Sequence, residues 1–220
     1  MTNTINHARG RACSFTTKPE ARRQTASIGV PAAAALAGAV LLGSTLAAQA
    51  ITMPMGGRTT QPIGHYEFCQ RTPGECRPTA EAAPHALDRA SWAAMIEVNN
   101  HYNTTVLPLT DMQIWGREEL WSFPDDVGDC EDFVLAKRHR LKEMGFHPSN
   151  LLITVVRQPN GEGHAVLTVR TDRGDFILDN LVGEIADWRD TPYTYLKRQS
   201  TRHAGRWENI NDSRTRISAR

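Results

Sequence analysis

The sequence Gly-Asp-Cys-Glu-Asp at residues 128–132 is the most informative stretch of the chain, because it predicts the start of a helix with a cysteine in its first turn. Asp129 is a suitable N-cap residue, and Gly145 predicts the end of the helix near Met144. Apolar residues recur at helical spacing along this segment and predict a face that packs on a core. Cys130 would then lie in the first turn, where unpaired N–H groups and the helix dipole favour a thiolate.

The hydrophobic period changes from helical to alternating after this helix. A helical pattern over 80–103 precedes it, whereas 151–157, 165–171 and 175–178 have the composition of strands separated by turns. Helices followed by sequential hairpins indicate an α+β fold with an antiparallel sheet.

A histidine and an aspartate flank the second hairpin. If its turn centres between Asp172 and Arg173, Val166 lies opposite Asp179, and His164 is the diagonal neighbour on the same face. Diagonal neighbours are about 7–8 Å apart at the backbone, which an imidazole–carboxylate hydrogen bond can span. A register slip of one residue would turn the side chains to opposite faces.

Cys130, His164 and Asp179 together supply a nucleophile, a general base and an orienting acid. Taken singly, each residue is better explained as a small buried side chain, a satisfied strand histidine or a turn former. The helix-start thiol combined with the hairpin geometry favours catalysis by acyl transfer.

Acidic residues crowd the thiol and would raise its pKa. They are Asp125, Asp126, Asp129, Glu131 and Asp132. Oxygen ligands at this density suit calcium, which would also offset their charge. The alternative is that the acids are solvated and complement the helix dipole.

The first fifty residues have the features of an export signal. A basic start leads into an apolar run, and Ala48-Gln49-Ala50 resembles a signal-peptidase site, so we expect cleavage after Ala50 and a single domain over 51–220. Removing residues 1–50 leaves 20 basic and 23 acidic residues, a formal net charge of −3, from 25 and 24 in the whole chain. This charge argues against nucleic acid as a partner. No second apolar segment could insert in a membrane.

The expected mature chain has three cysteines. In an oxidising compartment Cys69 and Cys76 are well placed to close a short loop, which leaves Cys130 as an unpaired thiol. A zinc site formed by His65, Cys69 and Cys76 is the alternative, although the ligand spacing is not typical.

The chain resembles the bacterial transglutaminase-like cysteine proteinases over about 60–210. The resemblance is carried by Trp115-Gly116, Trp121, Gly-Asp-Cys-Glu-Asp at 128–132, His-Ala-Val-Leu at 164–167 and Leu-Asp-Asn at 178–180. It implies a papain/transglutaminase-like fold in which Cys130 is the nucleophile, His164 the base and Asp179 the orienting acid.

The same resemblance implies calcium binding by Asp129, Glu131 and Asp132. It also implies a periplasmic protease that cuts a large surface adhesin at a double-alanine site, under the control of an inner-membrane cyclic-di-GMP receptor. The Cys69/Cys76 pair departs from the characterised adhesin-cutting members and indicates a divergent subgroup.

Two other functions fit the sequence. A transglutaminase or amidase would pass the acyl group to an amine, and the triad does not distinguish this from hydrolysis. A non-catalytic, calcium-dependent binding module could keep the same fold, although it would not need all three catalytic side chains.

Overall fold

The computed structural model describes residues 51–216, which form four α-helices and a seven-stranded antiparallel sheet. The export segment predicted over 1–50 lies outside the described residues. The helices are α1 (Ile63–Arg71), α2 (Arg89–Thr105), α3 (Asp111–Trp115) and α4 (Cys130–Glu143). Short 3₁₀ turns cover Pro73–Cys76, Pro148–Asn150, Trp188–Asp190 and Ser213–Arg216.

The main sheet has seven strands in the order β1-β9-β8-β4-β5-β6-β7, and every pairing in it is antiparallel. These strands are β1 (Met55–Thr59), β4 (Leu151–Arg157), β5 (Gly163–Thr171), β6 (Gly174–Leu178), β7 (Ala186–Asp187), β8 (Thr194–Ser200) and β9 (His203–Ile210). The α+β prediction is therefore confirmed.

The alternation of side chains on β4 and β5 divides the core into two clusters. Ile153 and Leu167 pack with apolar residues of α2 and α4, whereas Val156 and Val166 pack with aromatic residues on the opposite face. The helix α4 contacts β4, β5 and α2, so the thiol-bearing helix is held between the sheet and a second helix.

The helix predicted over 80–103 begins later than expected. In the structure α2 starts at Arg89, because Asp88 and Ser91 form a reciprocal capping box. Before it, the main chain at His85 pairs with Arg170 and Asp172 beside β5. Main-chain pairing with the sheet satisfies these groups without helix formation.

The polar tail beyond Trp188 forms β8 and β9. Tyr193, Tyr195 and Trp207 in this segment are all buried. Arg198 is also internal, because its Nη1 lies 2.9 Å from Oδ2 of Asp175.

The predicted disulfide between Cys69 and Cys76 is present, so these sulfurs are not free to bind zinc. The bridged loop carries Glu75 to α4, where its carboxylate accepts from Arg138 Nη1 and Lys142 Nζ, each 2.8 Å from Oε2. The clipped loop therefore anchors the helix that begins at Cys130.

A second, two-stranded sheet lies outside the main one. Its strands β2 (Leu107–Pro108) and β3 (Val127–Gly128) are parallel, and Leu109 N–H donates to the Gly128 carbonyl at 3.1 Å. This pairing brings the start of α3 beside the start of α4. No helix among residues 51–216 is both long and apolar enough to cross a membrane.

Candidate active site

Cys130 is the first residue of α4 and lines a cleft of about 460 Å³. Gly128 allows the tight approach before the helix, since a Cβ there would lie 2.8 Å from Cβ of Asp132. Asp129 occupies the expected N-cap position, but its side chain makes no capping hydrogen bond. The carboxylate predicted to cap the helix is instead turned into an acidic cluster.

His164 and Asp179 form the predicted pair. Leu167 lies opposite Leu178, which is the register that places Val166 opposite Asp179. The imidazole Nε2 is 2.8 Å from Oδ1 of Asp179, and both side chains are buried. Burial alone would raise the pKa of Asp179, but hydrogen bonds from His164, Tyr193 and Leu181 hold it below its usual range.

Cys130 and His164 line the same cleft. The thiol donates to Oε2 of Glu131 at 3.1 Å, and within residues 51–216 no hydrogen bond joins it to the imidazole. Burial and the charges of Glu131 and Asp129 raise the pKa of the thiol well above its usual value. As it stands, the thiol is neutral and directed toward an acid.

The acids near Cys130 lie in two places. One ligand oxygen from each of Asp111, Asp129 and Glu131 comes within 4.8 Å of the others. Asp132, predicted with Asp129 and Glu131, lies next to this cluster, and its Oδ1 accepts from Ser122 N–H at 2.7 Å. Asp111 was not predicted from the sequence.

The acidic cluster has few internal donors. Oδ1 of Asp111 and Oδ1 of Asp129 are buried and have no hydrogen-bond partner among the described residues. Burial, followed by the mutual charge of the pair, raises the pKa of Glu131 to about 9; burial also raises that of Asp129 to about 6. Burial raises the pKa of Asp132 to about 7. These raised values show that negative charge is poorly compensated here.

Trp121 lines the cleft and is held between the two acidic positions. Leu120 N–H donates to Oδ2 of Asp111, and Ser122 N–H donates to Asp132. The acids that lie near the thiol thus also fix one wall of the cleft.

A sequence profile of the bacterial transglutaminase-like cysteine proteinases matches residues 55–215. The chain belongs to this family. The family resemblance inferred from the Gly-Asp-Cys-Glu-Asp motif is therefore confirmed, as is the mixed helix and antiparallel-sheet fold. No curated protein gave a significant match.

Solved structures of LapG from Legionella pneumophila are similar to this proteinase-family chain. The calcium-bound form is 26% identical with a TM-score of 0.44, covering 49% of this chain and 64% of its own. The EGTA-treated form is 23% identical with a TM-score of 0.47, covering 57% and 69%. The match to the calcium-bound form thus spans less than two thirds of that chain.

For this member of the proteinase family, the site residues remain predictions in their roles, although their positions are now described. Asp111 follows Thr110, which caps α3. Nothing in the local sequence, however, shows that β2 pairs with β3 and brings Asp111 to Asp129.

Proposed function

We propose that this chain is a cysteine endopeptidase that hydrolyses a peptide bond with Cys130, His164 and Asp179. The proposal rests on the hydrogen bond between His164 Nε2 and Asp179 Oδ1. This bond lies beside a cleft that also contains the thiol at the start of α4. It leaves Nδ1 of the imidazole for the thiol proton.

In the proposed reaction His164 takes the proton of Cys130, and the sulfur attacks the peptide carbonyl carbon. The backbone N–H of Cys130, in the first helical turn, helps to hold the oxyanion. The imidazolium then protonates the leaving amine, and a water molecule attacks the acyl-enzyme with His164 as its base. Asp179 orients the ring and stabilises the imidazolium throughout.

Asp111, Asp129 and Glu131 fit a calcium ion. The donor set consists of carboxylate oxygens, two of them buried without partners, which is the environment that a hard divalent cation satisfies. Bound calcium would supply positive charge that offsets the acids next to the thiol. Asp132, predicted from the family resemblance, is proposed as a neighbouring contributor.

The finer assignments rest on the family resemblance and the export signal. We propose a periplasmic location for residues 51–220, a large surface adhesin cut near a double alanine as substrate, and an inner-membrane cyclic-di-GMP receptor as regulator. The Glu118, Glu119 and Lys197 side chains at the cleft offer charged contacts to such a peptide.

The test uses the purified protein and the N-terminal fragment of a large repeat adhesin from the same genome. Wild type should cleave the fragment in calcium, whereas Cys130→Ser should retain the fold and lose detectable cleavage. Cleavage by Cys130→Ser at the wild-type rate would reject the thiol mechanism. Incorporation of a labelled amine in place of cleavage would instead support acyl transfer.

The calcium assignment needs a separate measurement. Activity should be lost in EGTA and restored by added calcium. Asp125→Asn should show the same calcium dependence as wild type, because Asp125 is exposed in the same turn and lies outside the acidic cluster. Full activity of the wild type in excess EGTA would remove calcium from the mechanism.

A further inference from the structure

Tyr193 contacts both members of the His164–Asp179 pair. Its hydroxyl donates to Oδ2 of Asp179, and its ring centroid lies 5.6 Å from that of the imidazole. Tyr193 is 7% exposed, so these contacts are made away from bulk water. A buried hydrogen bond to a carboxylate is stronger than one at the surface.

The two oxygens of Asp179 have different partners. Oδ1 accepts from His164 Nε2 at 2.8 Å and from Leu181 N–H at 2.9 Å, whereas Oδ2 accepts from Tyr193. Rotation of the carboxylate plane about Cβ–Cγ moves both oxygens, so the two donors on Oδ1 restrict this rotation only in part. A donor on the second oxygen fixes that plane and, with it, the direction in which Oδ1 faces the imidazole.

The backbone of Asp179 is fixed independently. Asn103 Nδ2 donates to its carbonyl oxygen at 2.8 Å, and Asn99 Nδ2 donates to the Gly183 carbonyl at 3.0 Å. Two residues one turn apart on α2 thus hold the loop that follows β6. The backbone of Asp179 is therefore held without Tyr193, and Tyr193 restricts the torsion of its side chain.

Tyr193 is itself anchored from the end of the described chain. Arg214 Nη2 donates to its carbonyl oxygen, and Nη1 donates to the carbonyls of Trp188 and Arg189, each at 2.9 Å. The guanidinium also lies 4.6 Å from the Trp188 ring. The segment before β8 is therefore rigidly placed against the sheet.

We propose that Tyr193 is a positioning residue of the triad, which rests on the catalytic pair assigned above. Its hydroxyl holds the Asp179 carboxylate in the plane that orients His164, and its ring packs against the imidazole. Tyr193 acts through Asp179 and is not itself a catalytic residue.

Tyr193→Phe and Tyr195→Phe form a matched pair. Tyr195 is two positions further along, 2% exposed, and its hydroxyl lies 2.9 Å from Oγ1 of Thr191. Each variant removes one buried hydroxyl, and Tyr193→Phe should lose more stability because the partner of that hydroxyl is a charged carboxylate. Only the first removes a donor from Asp179.

The expected result separates turnover from binding. On the adhesin fragment, Tyr193→Phe should lower kcat about tenfold with KM unchanged within about twofold, while Tyr195→Phe should match wild type. The downfield NMR resonance of the His164 Nε2 proton should move or broaden in Tyr193→Phe alone.

The outcomes distinguish this inference from the proposed hydrolysis. Equal kcat and an unchanged resonance in both variants would overturn the positioning role. If wild type cleaves nothing, the proposed hydrolysis is rejected. If the His164 resonance then still differs from wild type in Tyr193→Phe alone, the positioning role is supported. Should that variant not fold, a nuclear Overhauser contact between the Nε2 proton and the Tyr193 ring in wild type supports the role, and its absence contradicts it.

Discussion

Two carboxylate sites near the cleft, Asp179 and the acidic cluster that contains Asp129 and Glu131, differ in how their negative charge is compensated. Asp179 receives hydrogen bonds on both oxygens, and its pKa lies below the usual range despite burial. Glu131 is also buried and Asp129 is half-buried, yet their pKa values rise to about 9 and about 6. Burial raises the pKa at both sites, so the difference comes from the donors to Asp179 and from the like charges within the acidic cluster.

The comparison shows that the His164–Asp179 pair has its hydrogen-bond partners within the described residues, whereas the acidic cluster does not. The His164–Asp179 pair is assembled by the chain itself, through hairpin register and local hydrogen bonds. The acidic cluster of Asp111, Asp129 and Glu131 places carboxylates together with few donors, and one buried oxygen of Asp111 and one of Asp129 have no partner among the described residues. We propose that a calcium ion completes this second site, which would also change the surroundings of the thiol that donates to Glu131.

The largest effect is expected from breaking the complete site. Asp179→Asn keeps the side-chain shape but removes the charge that stabilises the imidazolium, so kcat should fall by at least about a hundredfold. Steady-state cleavage of the adhesin fragment measures it. Asp187→Asn is the control, because that carboxylate binds Arg189 instead. A loss below about threefold in Asp179→Asn would contradict the orienting role.

The composition of the incomplete site can be sharpened by two variants. Asp111→Asn should weaken calcium binding about tenfold or more, and Asp132→Asn less, because the oxygens of Asp111 lie in the cluster and Asp132 already binds Ser122. Isothermal titration calorimetry measures both against Asp125→Asn. The reverse order would support Asp132 as the ligand and exclude Asp111.

The metal-free protein should lose stability as the pH rises. Folded-state pKa values near 6, 7 and 9 for Asp129, Asp132 and Glu131 exceed their unfolded values, so the folded state binds more protons between about pH 4 and pH 9. The unfolding free energy therefore falls with pH across that window. Thermal melting in EGTA should show this decline, and saturating calcium should flatten it. Equal slopes with and without calcium would contradict the assignment.

The smallest expected effect is a gain in thermal stability of the metal-free protein. In EGTA, Asp129→Asn removes one poorly compensated charge and should raise Tm by about 2–4 °C, which corresponds to about 1 kcal/mol for a domain of this size. In calcium the same variant should melt below wild type. Differential scanning fluorimetry in both buffers provides the comparison. A lower Tm in EGTA would mean that the Asp129 charge stabilises the metal-free fold.

The parts of the site that depend on local rules were predictable from the sequence. Helix-start residues placed Cys130, and the period-two pattern with a central turn gave the register that joins His164 to Asp179. Asp111 was not predictable, because it reaches Asp129 through the pairing of two very short strands. Local sequence carries no signal for such a distant contact.

Strands β8 and β9 were missed for a different reason. The sequence predicted strands only as far as residue 178, because β8 contains charged residues; in the structure Arg198 of β8 is neutralised internally by Asp175. Likewise, the start of α2 moved because the chain before it found main-chain partners on β5. In both cases a tertiary contact outweighed the local preference.

Trp121, suspended between Asp111 and Asp132 by the amides on either side of it, limits how this enzyme family member can change its specificity. An insertion or deletion between those two amides would pull the anchoring carboxylates out of place along with the wall of the cleft. New peptide preferences are therefore expected to arise by exchanging side chains along the rim, with the length of that stretch preserved.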